Sequence, residues 1–561
     1  MHSFFAWIIS FGMICNIATA QILLKNPVLP GFYPDPSICK AGEDYYLVNS
    51  TFSYFPGIPV FHSKDLKNWK QIGNVIERSS QMDFMGERIT RGLFAPSISF
   101  HNGTYYVACT DIDNGGNFIV TAKNPAGPWS NPVYLKEVRG IDPSLFFDGG
   151  KAYIVYNSEA PARKPLYEGH RTVRVYELDM LNLKVRGEET ILVNGGADIS
   201  KKPVWIEGPH LYKRKNFYYL MAAEGGTGVN HSEVIFRSKD IRGPFMPYDK
   251  NPILTQRHLD PKRKDPITSV GHADLIEGPD GSTFAVFLGA RPYDGDFYNT
   301  GRETFIAPVA WLDDWPVINY GNEEVQYSYK AGWKEFPNKD INPLSGNFST
   351  TYHFESYLDP QFLFLRTRDT SWYSFEKENG GLTIKLLPET VMGLGNPAFI
   401  GRRQQHLTSS GSVEMEFATK MENEKSGLII LQSEEHFYYL CKSFKQGKDV
   451  VQLFKSTPKS KEMELISERE LGKKDAKIYL KIAASKDSYS FWYSLKRNKW
   501  TLLKEGLDAR FLSTKTAGGF VGSLFGMYVT SSAKPSGNSA VYKWFSYSGS
   551  DETYQVLGSK R

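Results

Sequence analysis

The chain lacks most of the features that place a protein quickly. It carries four cysteines in 561 residues, and Cys15 falls within the first twenty. Cys39, Cys109 and Cys441 are far apart, which excludes a disulfide framework and a thiolate metal cluster and leaves three small buried hydrophobes. Charge of one sign is missing too. The 66 Lys and Arg are nearly balanced by 61 Asp and Glu and are spread along the chain, so no basic tract presents itself to nucleic acid. No apolar run reaches the ~20 residues of a membrane span, and long segments of helical period are few. No two histidines stand close together on one element, which argues against a catalytic metal.

The first stretch, "MHSFFAWIISFGMICNIATA", is apolar at its centre and ends in Ala18-Thr19-Ala20, a small-x-small cleavage pattern. Its n-region holds no Lys or Arg. It reads as an export signal over residues 1–20, with the mature chain beginning near Gln21 and acting in the periplasm or outside the cell.

What the chain has in quantity is aromatic side chains, 14% of the residues. They gather in short strand-like runs: "DYYLVNST", "GTYYVACT", "KAYIVYNS", "NFYYLMAA" and "STFAVFLG", each after a polar or glycine-containing turn. The runs recur about every 50 to 65 residues. Ahead of each stands another short strand with its own opening: "YPDPSICK", "LFAPSISF", "IDPSLFFD", "IEGPHLYK" and "GHADLIEG". Five units of about four strands predict an all-β, five-bladed propeller within residues 21–330. In a propeller the first strand of each blade lines the axis, so the openings converge. Aligned, they are Asp35, Ala95, Asp142, Glu207 and His272. A single Asp-Pro is ordinarily a turn former. Three carboxyls sharing one place in a repeat repel each other in a partly dry pocket, and that points to use. Two carboxyls held at different protonation are what hydrolysis of a glycosidic bond requires.

After Trp333 the repeat stops. "WKEFPNKDINPLSGNFST" reads as a linker over residues 331–349. Beyond it, period-two stretches such as "GSVEMEFATK", "SGLIILQS" and "AKIYLKIAAS" predict an antiparallel β-sandwich over residues 350–561.

The motifs "FYPDPSIC", "IDPSLFFD" and "WIEGPHLYK", with "RGLFAPSISFHNGTYYV", "GGTGVNHS" and "TGRETF", resemble glycoside hydrolase family 43, in its β-xylosidase and α-L-arabinofuranosidase branch. The resemblance spans nearly the whole chain after residue 20. It implies a propeller that hydrolyses with inversion, with Asp35 as general base, Asp142 as the residue that orients and tunes the acid, and Glu207 as general acid. It implies that Arg302 contacts substrate, with Arg291 in "GARPYDG" a second candidate for that contact. It implies that Phe52 and Phe94 wall the sugar site; position 94 is often Trp in relatives. His272 matches a histidine near the axis that in several relatives neighbours calcium or a water cluster, so a structural Ca2+ is carried there as an expectation, with no cofactor required for the reaction. The C-terminal domain is expected to be a concanavalin-like sandwich, either a separate carbohydrate-binding module or a wall of the pocket, with Phe520 as the closing aromatic. The expected partner is an oligosaccharide from plant hemicellulose or pectin, cut at a terminal pentose. A non-catalytic glycan-binding propeller and an endo-arabinanase remain as alternatives. Oligomeric state and the choice between xylose and arabinose are not legible.

Overall fold

The computed structural model describes residues 21–337, 343–376, 380–472 and 475–556. The expected export signal lies outside the described residues, as does the 338–342 part of the expected linker.

Five antiparallel sheets follow one another along the first half of the chain, four of four strands and the fourth blade with a fifth short strand, Leu254–Thr255. Their innermost strands are Ser37–Ala41, Leu93–His101, Ile141–Asp148, Glu207–Arg214 and Thr268–Glu277. In the first four blades a two-residue loop turns this strand back on itself, as in the pairs His101↔Thr104 and Asp148↔Lys151. Asn102-Gly103 and Gly149-Gly150 supply the positive φ at both loop positions that such tight hairpins need. The aromatic runs form the second strands. Lys151–Glu159 is buried at every residue except its two ends, because neighbouring blades cover both faces.

Each blade interface is an apolar layer. Val155 and Val173 meet Leu220 and Val234 between the third and fourth blades. Met221 and Ile235 meet Phe287 and Phe305 between the fourth and fifth. Leu47 and Phe61 meet Val286 and Ile306 where the fifth meets the first and the ring closes. The chain start reinforces that closure. Ile22–Lys25 pairs with Ser328–Ala331, and the Asn26 amide exchanges hydrogen bonds of 2.8 and 2.9 Å with the Ile306 backbone.

The second half is a sandwich of two eight-stranded sheets. In one, alternate residues of Phe348–His353 are buried and exposed, as in a sheet with one face in water. The other sheet has no wet face near its middle: Leu524–Thr530 is buried throughout. Its far side packs on the propeller, where Phe399, Ile429 and Leu524 meet Phe32, Phe52 and Ile89. The propeller even completes this sheet, since Tyr54–Phe55 pairs with Leu363–Leu365 as its edge strand. The described part of the 331–349 connection lies against the propeller. Trp333 is buried there and donates to the Asp65 carbonyl at 3.1 Å, and the Ser345 hydroxyl donates to the Pro27 carbonyl at 2.8 Å. No helix among the described residues is long and apolar enough to cross a membrane.

Candidate active site

The top of each inner strand is irregular at the same place. In the second blade Phe94 pairs with Thr110 but Ser97 with Ala108. In the third, Ile141 pairs with Asn157 but Ser144 with Val155, and in the fourth, Glu207 with Ala223 but His210 with Met221. Each step is a bulge, which breaks the ladder and re-aims side chains. The bulge residue takes a left-handed conformation in all five blades: Asp35 at φ 52°, Ala95 at 38°, Asp142 at 55°, Gly208 at 57° and His272 at 55°. For a side-chain-bearing residue this stores on the order of 1 kcal/mol or more, strain of a kind that concentrates at functional sites.

That register corrects the alignment read from the repeat. Glu207 does not share the place of Asp35 and Asp142; Gly208 does. Glu207 stands one residue earlier, in the row of Phe94 and Ile141. The reason is steric. A Cβ on Gly208 would come within 2.8 Å of His272 Nε2, so the axial position in this blade is closed to a side chain. The acid is supplied from the preceding residue by the longer side chain of Glu.

Asp35, Asp142 and Glu207 nonetheless line one cavity of about 690 Å³, together with His272 and Arg302. All three carboxyls are nearly buried, at 6, 6 and 8% exposure. Asp35 is held on two sides: Ser50 Oγ donates to Oδ2 at 2.6 Å, and Arg302 Nη1 donates to Oδ1 at 3.2 Å. Ser50 Oγ also accepts from the Ala95 N–H at 2.7 Å, which ties the first blade's acid to the second blade's bulge. Asp142 Oδ2 accepts from the Gly208 N–H at 3.0 Å, so it is fixed against the backbone that carries Glu207.

The three protonation states part company. Burial works to raise Asp35, but the charge of Arg302 and the Ser50 hydrogen bond outweigh it and hold the carboxyl below its ordinary value. Burial pushes Asp142 up, the charge of Asp35 adds to this, and the Gly208 N–H opposes it. Burial also pushes Glu207 well above the usual carboxylate range, reinforced by the charges of Asp142 and then Asp35. The site therefore holds one carboxyl below its ordinary pKa, one well above it, and a third group that bears on the second. His272 is pushed down to about 4 by burial, so it is neutral at neutral pH. Among the described residues no group of three or more His, Cys, Asp or Glu side chains is placed to hold a metal ion. The donors around His272 thus do not fit an all-protein calcium cage of several oxygens.

The predicted aromatic wall assembles. Phe52, Phe94 and Phe520 pack with ring centroids 5.5 to 6.1 Å apart, and Arg302 lies over the Phe520 ring at 5.3 Å. Phe520 comes from the sandwich, and its backbone N–H is anchored by Thr90 Oγ1 at 2.8 Å. The sandwich is therefore a wall of the pocket.

Arg291 does not reach the cavity. It is 1% exposed and bound on all sides: Nε donates to Glu303 at 2.6 Å, Nη1 to Asp551 at 2.7 Å and Nη2 to the Gln405 carbonyl at 3.1 Å. It ties the propeller to the sandwich, so substrate contact is not its role. Sequence reasoning also missed Trp205 and Arg171, which line the cavity beside Glu207. Trp205 stands two residues before Glu207 in "WIEG" and was findable from that spacing. Arg171 lies at the start of a third strand in "HRTVRV" and carries no pattern.

Two buried carboxyls whose pKa values are pushed in opposite directions, facing one cavity walled by aromatic rings, define the active site of a glycoside hydrolase. Comparison with known proteins gives the particular kind. Residues 24–316 match Glycosyl hydrolases family 43, and residues 351–548 match the Beta xylosidase C-terminal Concanavalin A-like domain. A "Xylosidase/arabinosidase" of Butyrivibrio fibrisolvens is 40% identical over 94% of this chain and 99% of its own. A non-reducing end alpha-L-arabinofuranosidase of Bacteroides ovatus is 35% identical over 95% and 96%. The solved structure of a GH43_12 protein retrieved from capybara gut metagenome superposes with a TM-score of 0.83 at 41% identity, covering 91% of this chain and 95% of that one. The chain belongs to glycoside hydrolase family 43.

Proposed function

We propose that the enzyme removes single pentose units from the non-reducing ends of hemicellulose or pectin oligosaccharides, as a β-xylosidase, an α-L-arabinofuranosidase or both. The observation that carries this is the aromatic-walled cavity faced by Asp35, held below its ordinary pKa, and Glu207, pushed well above its own. In this reading Glu207 gives its proton to the leaving oxygen as the C–O bond breaks. Asp35 takes a proton from the water that attacks the opposite face of the sugar, with inversion. Asp142 holds the Gly208 backbone and keeps a negative field near Glu207. No cofactor takes part in these steps. Phe520 closes the pocket on the sandwich side, which favours a chain end over an internal link. The names of the Butyrivibrio and Bacteroides relatives support a pentose and leave both sugars open. One pocket separates two such similar sugars by only about 1–3 kcal/mol.

The Glu207→Gln variant is expected to lose roughly four orders of magnitude in kcat on pentose oligosaccharides while keeping much of its rate on aryl pentosides with good leaving groups. Asp35→Asn is expected to lose both. Full activity of Glu207→Gln on unactivated substrate refutes the assignment, and a retained anomer in the first NMR spectra of product refutes inversion. Export is proposed alongside, on the pattern ending at Ala20. Sequencing of the mature N-terminus checks it, with Gln21 the expected first residue.

A further inference from the structure

The mouth of the cavity is unusually rich in arginine, with Arg91, Arg139, Arg163, Arg171 and Arg302 all lining it. Two of them are accounted for. Arg302 serves Asp35, and Arg91 is paired with Asp113 through Nε at 2.8 Å. The other three gather on the third blade, on the side of Glu207. That side must receive the leaving group, because the acid protonates the oxygen through which the rest of the glycan departs.

These three cations are poorly neutralised. Arg163 meets Glu159 at 3.0 Å, but both side chains are mostly in water, where such a pair is weak. The Arg139 side chain has no hydrogen-bond or ion-pair partner among the described residues. Arg171 donates through Nε and Nη2 to one neutral acceptor, Asn157 Oδ1, at 3.1 and 2.6 Å. It stacks at 4.5 Å on Trp205, which fixes the guanidinium plane. Glu159, Asp142 and Glu207 face it but none forms an ion pair with it. Glu159 is ion-paired with Arg163 at this rim, while Asp142 and Glu207 face Arg171 from deeper in the cavity. Arg171 also works against the chemistry, since its charge pulls Glu207 toward ionisation. A fixed, half-buried cation beside the proton donor is explained if the substrate brings the opposing charge.

We infer that the leaving-group side of the pocket, built from Trp205, Arg171 and Arg139, recognises a carboxylate, so that the preferred substrates carry their terminal pentose on a uronic acid residue. The sugar ring stacks along Trp205 and its carboxylate accepts from the open Nη1 edge of Arg171 and from Arg139, a geometry suited to a planar guanidinium. Hydrolysis then adds water across the pentose–uronate C–O bond and releases the free pentose and the acidic chain. This rests on the pentosidase reading above and names its substrate class.

The test compares an oligosaccharide bearing a terminal pentose on a uronic acid with its methyl ester, which keeps the shape and removes the charge. Each rate is divided by the same protein's rate on an aryl pentoside, which reports folding and basic chemistry. The free acid is expected to exceed the ester about tenfold in kcat/KM at low ionic strength, with the advantage shrinking at 0.5 M salt as surface charges are screened (to a Debye length of a few Å). Arg171→Met and Arg139→Met are each expected to lower the acid-to-ester ratio, and together to bring it near one. Equal rates on acid and ester, or a preference for the ester, overturn the inference while active aryl pentoside turnover leaves the pentosidase reading standing. Failure to cleave any aryl pentoside overturns both.

Discussion

Asp35 and Glu207 face the same cavity and are buried to nearly the same degree, yet the pKa of one is held below its ordinary value and that of the other is pushed well above. Burial alone would raise both. The difference lies in their partners. On the side of the first and fifth blades, Arg302 and Ser50 bond directly to Asp35. On the side of the third and fourth blades, Glu207 has no hydrogen-bonded cation among the described residues, and Asp142 stands behind it as a second acid. Burial thus pushes both carboxyls upward, and only at Asp35 do the neighbours outweigh it.

Removing the cation from one side is the most severe way to break this contrast. Arg302→Met leaves Asp35 buried without its counter-charge, so its pKa should rise. The acidic limb of the kcat/KM profile then moves to higher pH, and activity at neutral pH is expected to fall by two to three orders of magnitude, part of it from lost substrate contact. A pH–rate profile for the variant checks this, and an unmoved acidic limb shows that Arg302 does not set the state of Asp35.

Removing the second acid from the other side should have a smaller effect. Asp142→Asn takes away a negative field near Glu207, so the basic limb is expected to move to lower pH and kcat to fall by about a hundredfold. Stability should move the other way. A carboxyl whose pKa is raised by folding holds its proton while the unfolded chain gives it up, so the wild type loses stability as pH rises from about 4 toward the folded value. The Asn variant lacks that loss. It should be more stable by about 2 kcal/mol at pH 8, with the gain vanishing near pH 4, as denaturant titrations at the two pH values will read.

Arg291→Met sharpens the comparison from outside the pocket. It breaks a fully buried ion-pair cluster between the domains, and a stability loss of about 3 kcal/mol is expected. The folded fraction should keep its KM, because Arg291 lies outside the cavity. A KM change in step with that of Arg302→Met would place Arg291 functionally at the site after all.

Much of the architecture was legible because it is repeated. Aromatic runs at constant spacing reported the blades, and three acids at matching places reported the site. The error at Glu207 has the same origin. Motif alignment counts residues, whereas a bulge changes which residue faces the axis, and the strand register shows that the fourth blade shifts by one, with Gly208 packed against His272. Arg291 and Arg302 illustrate the same limit. Both stand in short polar motifs near the end of the fifth blade, and nothing local distinguishes a cation that faces the cavity from one that faces Asp551. Phe520 was placed by resemblance, and its contact with Phe52 and Phe94 needed the sandwich to be docked.

Taken alone, the order of residues settled the all-β class, the five units, the change of domain and the three acids, since these follow from period and residue type along the chain. Folding in three dimensions decided in which direction each acid's pKa moves, which arginine faces the cavity, and that the sandwich borrows an edge strand from the propeller. Those depend on contacts between residues hundreds of positions apart, and proton affinity is fixed by what surrounds a group in space.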